Sequence, residues 1–214
     1  MDAKTKQAVW FRLVRFRSLH PENFPLFPLN TVLFPGGLLP LRVFEARYMD
    51  MARQCLREKS MFGVCLIREG AEVGSPAVPE SVGCQARIVQ CDMRQMGVLE
   101  LMTQGVERFR VLSTRANSQG LVLAEVEAIP PEAPAPVPDQ YAACAKLIER
   151  LIAEHGTAIF AEPHRLDDAA WVGYRLAEII PLPPAERQKL LALNDSLARL
   201  SILNRIITSG NNSA

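Results

Sequence analysis

A chain of 214 residues, 49% hydrophobic and 22% charged, fits a globular soluble protein and can bury one large core or two small ones. A formal net charge of +1 argues against a dedicated nucleic-acid or acidic-substrate partner. Five cysteines, an odd number without a C-x-x-C, fit reduced cytosolic thiols better than a disulfide framework or a structural zinc site. No apolar run approaches the roughly 18 residues of a transmembrane helix.

Residues 1–20 form a basic N-terminal extension. Lys4, Lys6, Arg12, Arg15 and Arg17 stand against Asp2, a net +4 that leaves −3 on the rest of the chain. The arginines interrupt Val9-Trp10-Phe11 and Leu13-Val14, so no signal-peptide apolar core is present. The segment reads as a weakly docked extension, with a basic amphipathic helix as the alternative.

From Phe24 to Tyr48, prolines 25, 28, 35 and 40 punctuate short apolar runs around a Gly36-Gly37 pair. Proline removes a backbone donor and fixes φ, so these positions belong at strand ends, sheet edges and turns. Strands are predicted over Pro25–Leu29, Leu38–Phe44, Met61–Ile67, Gly83–Cys91, Val98–Thr103, Val106–Ser113 and Leu121–Ile129. Gly83–Cys91 sets Cys84, Ala86 and Ile88 on one face against Gln85 and Arg87. Met61–Ile67 is apolar on both faces and reads as a central strand. Gly97, Gly105 and Gly120 are expected to mark turns. One early helix, Glu45–Glu58, carries Tyr48, Met49, Ala52 and Leu56 at helical spacing. Seven short strands with one helix suit a small, strongly bent sheet closing toward a barrel.

Five of the nine residues from Pro130 to Pro138 are proline, a stiff connector read as a plain spacer. Helical stripes follow. Asp139 is placed to cap the first, Asp167 or Asp168 the second; Pro183-Pro184 opens a third and Asn194 or Asp195 caps a fourth. Such stripes need partners, so a small helical bundle is expected.

Local motifs for chemistry are lacking. No Gly-Lys dipeptide occurs, so there is no phosphate-cradling P-loop for ATP. The three histidines, His20, His155 and His164, form no H-E-x-x-H and lie beside no nucleophile in sequence; no cofactor or metal is expected. Glu45 opens a helix, where a carboxylate suits the dipole, and pairing with Arg42 or Arg108 is expected.

Several stretches resemble one family. They are Pro25-Leu26-Phe27-Pro28-Leu29-Asn30, Val32-Leu33-Phe34-Pro35-Gly36, Leu38-Leu39-Pro40-Leu41, Val43-Phe44-Glu45-Ala46-Arg47-Tyr48 and Gly105-Val106-Glu107-Arg108-Phe109-Arg110-Val111. Their order and spacing are similar to those of the N-terminal substrate-recognition domain of Lon ATP-dependent proteases, over roughly residues 24–210. Gly37 departs from the commoner pattern, in which a larger apolar residue stands. None of the five lysines lies three residues after a serine, so the resemblance implies a stand-alone recognition domain without motor or peptidase.

The expected fold is therefore α+β. A PUA-like β pseudo-barrel with one early helix (21–130) is followed by a Pro-rich connector (131–138) and a C-terminal four-helix bundle (139–210). The resemblance implies a non-catalytic, cytoplasmic protein that binds unfolded or apolar polypeptide or a partner protein, and weak self-association is compatible with it. Leu33, Phe34, Pro35, Leu38 and Leu39 are the expected contact, with pairing to an exposed strand edge as another route. A PUA-like RNA-binding module, suggested by Arg108-Phe109-Arg110, and a hydrolase using one of the cysteines are the alternatives.

Overall fold

The structure, a computed structural model, describes residues 22–156 and 159–211. The basic extension lies outside them. Six strands come first: β1 (Phe24–Leu29), β2 (Leu38–Val43), β3 (Phe62–Glu69), β4 (Val78–Gln95), β5 (Val98–Ala116) and β6 (Val122–Ala128), with helix α1 (Ala46–Glu58) between β2 and β3. A 3-10 turn over Asp139–Tyr141 leads into α2 (Ala142–His155), α3 (Ala169–Ile179), α4 (Pro184–Ala192) and α5 (Ser196–Asn211). The fold is α+β.

The strands are ordered β2-β5-β4-β3-β1-β6, and β5 also pairs with β6. The ring β5-β4-β3-β1-β6 thus closes on itself, and β2 is attached outside it. Only β1 and β3 run parallel. The length of β5 makes this possible. Its first part, Leu99–Gln104, carries β2, and its second, Phe109–Ala116, carries β6.

Gly105 joins these two parts, and here the expectation of a turn is corrected. Val98–Thr103 and Val106–Ser113 are one continuous strand. The loop between β1 and β2 lies against its middle: Gly36 N donates to Gly105 O at 2.8 Å, and Gly105 N donates to Gly37 O at 2.9 Å. Any Cβ at 105 would collide with the Phe34 carbonyl oxygen. The glycine is required for backbone approach rather than for a turn. Gly97 and Gly120 do sit at turns, with φ of +83° and +79°.

Helix α1 turns Tyr48, Met51, Ala52 and Cys55 into the ring, where they meet Phe27, Val43, Phe62 and Leu101. Leu56, expected on this face, is instead exposed (43%), because the inward stripe runs through Cys55. A second cluster joins the two parts of the chain. Val32, Phe34, Leu66 and Val82 from the sheet side pack with Trp171, Leu176, Leu190, Leu200 and Leu203 from the helices. Helix α3 is buried along nearly its whole length. Asp168 caps it, accepting from Ala170 N at 2.9 Å and Trp171 N at 3.2 Å.

The connector is more than a spacer. Glu132 within it has a buried carboxylate that accepts from Tyr174 Oη at 2.6 Å and from Arg199 Nη1 and Nη2 at 3.0 and 2.6 Å. Arg108 Nη2 of β5 lies 3.2 Å away. Arg108, expected to pair with Glu45, thus finds Glu132, and it also donates to Leu191 O (2.9 Å), Leu193 O (3.0 Å) and Asn194 Oδ1 (2.5 Å). Burial alone would raise the Glu132 carboxyl. The hydrogen bonds from Arg199 and Tyr174, with the charges of Arg199 and Arg108, outweigh it and hold the group below its ordinary value.

Substitutions at Glu132, Gly105 and Gly97 check this account. Glu132→Ala leaves two buried guanidiniums without their carboxylate and is expected to cost about 3–5 kcal/mol in urea denaturation. A depressed folded pKa stabilises above the ordinary carboxylate value of 4.5 and is lost as pH falls through the folded value. Glu132→Gln should therefore flatten the acid limb of the stability profile below pH 4.5. Gly105→Ala is expected to cost about 2–3 kcal/mol through overpacking. Gly97→Ala, with open space but positive φ, should cost only about 1 kcal/mol.

Candidate functional site

Among the described strands β2 alone has a single neighbour, so one of its edges carries unpaired backbone groups. Its sequence is suited to that place. Pro40 lacks an N–H and is tolerated at an edge. Leu41 and Val43 point into the core, while Pro40 and Arg42 are exposed. Period-two alternation then carries Phe44 outward, and it is 56% exposed.

Hollows border β2 on two sides. One, of about 320 Å³, is lined by Leu39, Arg42, Phe44, Glu45, Glu72 and Val73 among others. The other, of about 440 Å³, lies toward the β4–β5 hairpin and is lined by Pro40, Arg42, Gln90, Asp92 and Met102. That hairpin presents Val89, Met93 and, at its tip, Met96, which is 96% exposed. Apolar tips beside an open strand edge can bind an extended chain through both backbone and side chains. Methionine adapts to partners of varied shape.

The expected contact residues and ion-pair candidates fall in different places. Leu39, Arg42 and Glu45 are brought together at the first hollow. Leu38 and Leu39 are half-buried at the start of β2. Leu33 and Phe34 are corrected: both are core, Phe34 with no exposure and its ring 5.8 Å from that of Tyr174. Pro35 serves the scaffold through its carbonyl, which accepts from Arg175 Nη2 at 2.7 Å. The apolar run around Phe34 therefore faces inward, and the exposed residues beyond it, Phe44 and Val73, were missed. The alternation through Leu41 and Val43 was the available signal for Phe44.

Glu45 is also corrected. Its partner is neither Arg42 nor Arg108 but Arg47, with Nη2 2.9 Å from Oε2. Arg47 is buried because it reaches inward to Gly120 O (3.0 Å) across the face of Tyr48, which itself stacks on Phe27 at 4.0 Å. Glu45 flanks α1 at its N-terminus without a side-chain cap. Glu45 and Tyr48 line the hollow next to Phe44, and Arg47 holds both from behind the lining.

Among the described residues no group of three His, Cys, Asp or Glu is placed to hold a metal ion. Four cysteines are buried and only Cys91 is exposed. Burial pushes the Cys65 thiol up and that of Cys84 up to about 12, which disfavours the thiolate a nucleophile needs. His164 contacts the Phe160 carbonyl at 3.2 Å, and His155 lies beside Glu154. In the Arg108-Phe109-Arg110 pattern, Arg108 and Phe109 are buried and only Arg110 faces solvent. No helix among the described residues is long and apolar enough to cross a membrane.

Comparison with known proteins gives a consistent assignment. The family model described as the ATP-dependent protease La (LON) substrate-binding domain matches residues 23–209. The structure of a Lon N-terminal domain protein from Xanthomonas campestris is 40% identical, with a TM-score of 0.72 over 86% of this chain and 97% of that one. The N-terminal domain of a Mycobacterium avium complex Lon protease, 18% identical with a TM-score of 0.59 over 85% of this chain and 95% of that one, shares the fold. The Lon protease of Paraburkholderia phytofirmans is 26% identical over 86% of this chain, and that of Anaeromyxobacter dehalogenans 34% identical over 51%. The matches span only 24% and 13% of those two proteases. With sheet, helices and site in place, the chain belongs to the substrate-binding domain family of the Lon (La) ATP-dependent proteases.

Proposed function

We propose that this chain is a non-catalytic module that binds unfolded or apolar polypeptide segments, or an apolar segment of a partner protein, along the free edge of β2. The observation that carries this is the single-neighbour strand Leu38–Val43 with Phe44 and Val73 exposed beside it. The unpaired backbone favours any extended chain whatever its sequence, and the apolar rim adds affinity without demanding a particular side chain. Family membership supports the reading, since the family is described by its substrate binding. The closed ring supports a PUA-like pseudo-barrel, and helices α2 to α5 around a shared core support a four-helix bundle. The same edge offers a route to weak self-association, and no ATP is needed for any of these contacts.

The test is fluorescence anisotropy with an unfolded, labelled model polypeptide at varied salt. Phe44→Ser is expected to leave stability within about 0.5 kcal/mol, because the ring is exposed. It should weaken binding about tenfold, as loss of one buried aromatic contact implies. Peptides N-methylated at alternate residues should bind worse than their parents if the backbone pairs with β2. Phe34→Ala, by contrast, should cost about 3–5 kcal/mol of stability. No polypeptide binding, together with single-stranded RNA binding that collapses as salt rises, would replace this reading with the RNA one.

A further inference from the structure

The Gly36-Gly37 turn, which enters β2, packs against an ion pair on α3. Arg175 is 1% exposed. Its Nη2 donates to Pro35 O at 2.7 Å and to Glu178 Oε1 at 2.9 Å, while its Nε has no partner. A Cβ on Gly36 would lie 3.4 Å from Arg175 Nη1, and one on Gly37 would collide with Glu178 Oε1. The carboxylate thus fills the space a side chain at 37 would take. Two backbone hydrogen bonds tie the same turn to Gly105, at the end of the stretch of β5 that carries β2. Glu178 therefore touches the one loop that sets where β2 begins.

We propose that Glu178 positions the β1–β2 loop, and through it the free edge of β2, and that its protonation seats the loop while its ionisation loosens it. The consequence at β2 rests on the polypeptide-binding reading; the behaviour of the loop does not.

Burial decides the direction, against the charges around the carboxyl. Arg175 on α3 and Arg187 on α4 favour its ionised form. Glu178, Arg175 and Arg108 of β5 all act on Cys84 of β4. Arg165 and Tyr174 act on Arg175. Burial outweighs the two cations and raises Glu178 to about 7. Its side chain keeps some exposure (22%), so protons have access. A loop lifted away would return the carboxyl to water and toward its ordinary value of 4.5. The seated loop binds the proton more tightly than the lifted one, so stability of the seated form falls as pH rises from 4.5 through 7.

Amide hydrogen exchange at Gly36, Gly37 and Gly105, corrected for intrinsic rates, tests this on the full chain. From pH 6 to pH 8, protection is expected to fall on the order of tenfold in the wild type and to stay flat in Glu178→Gln. The carbon-13 shift of the Glu178 carboxyl, followed in the wild type, gives a reading that depends on no variant. A midpoint near 4.5, a flat wild-type exchange profile, or the same profile in Glu178→Gln would each overturn the proposal. Affinity for the model polypeptide should change between pH 6 and 8 in the wild type and not in Glu178→Gln. Binding that ignores pH while the loop responds would overturn the link to β2. A responsive loop with no polypeptide binding at any pH would uphold the loop and sink the functional reading alone.

Discussion

Three arginines, Arg108, Arg175 and Arg199, are buried almost completely. A guanidinium does not lose its charge in a protein interior, so each must find acceptors. Arg175 finds Pro35 O and Glu178, and for Arg108 and Arg199 the acceptors lie where a helix ends. The last carbonyls of α4 have no partners within the helix, and they sit at the negative end of its dipole. Leu191 O accepts from Arg108 and Leu190 O from Arg199, while Leu193 O, just past the helix, accepts from both. Glu132 then joins the two cations from the connector side. One strand, one connector, one helix terminus and α5 are thereby held at a single polar knot. The packing of Phe34 and Val82 against Leu190 and Leu200 follows from that geometry as much as it supports it.

Two desolvated carboxylates, Glu132 buried and Glu178 partly so, show how the number of partners decides charge. Glu132 and Glu178 both pay desolvation. Glu132 meets Tyr174, Arg199 and Arg108 and is held ionised. Glu178 has one short contact, to Arg175, with Arg187 acting at longer range, and burial prevails. The first arrangement suits a permanent joint. The second leaves a carboxyl that burial holds above its ordinary value, at the point where the sheet meets the helices.

Helices α3 to α5 were legible because their signals are local, whereas Asp139, expected to cap α2, lies in the 3-10 turn before it and makes no side-chain cap. Asp168 and Asp195 precede apolar stripes as caps do, and Pro184 stands where a helix starts. Most strands were legible through alternation, and the family was legible through motif order. What escaped were meanings that depend on distant partners. Glycine at 105 gives the same signal whether the chain turns or another backbone passes close, and only Phe34 and Gly37, far away in sequence, decide. Arg108 and Glu132 do not announce each other, since proline content masks the one acid in the connector. The apolar run at Leu33-Phe34 shows that burial is wanted without saying which side supplies it.

An open strand edge is a hazard as well as a binding site, and the sequence of β2 balances the two. The strand is short, Pro40 removes one donor, and Arg42 places a charge beside the edge, all of which oppose pairing with a second long strand. Phe44, Val73 and the methionines of the hairpin favour contact with apolar chain. The balance depends on where the edge sits relative to those tips. That position is fixed at one end by the ladder to β5 and at the other by two hydrogen bonds between glycines 36, 37 and 105. Val32, Leu33 and Phe34 anchor the first half of the loop in the core, whereas the Gly36-Gly37 turn brings no side chains of its own and rests on Arg175 and Glu178. On the proposed reading, the seating of that turn follows the charge of Glu178, and the placement of the β2 edge follows the turn.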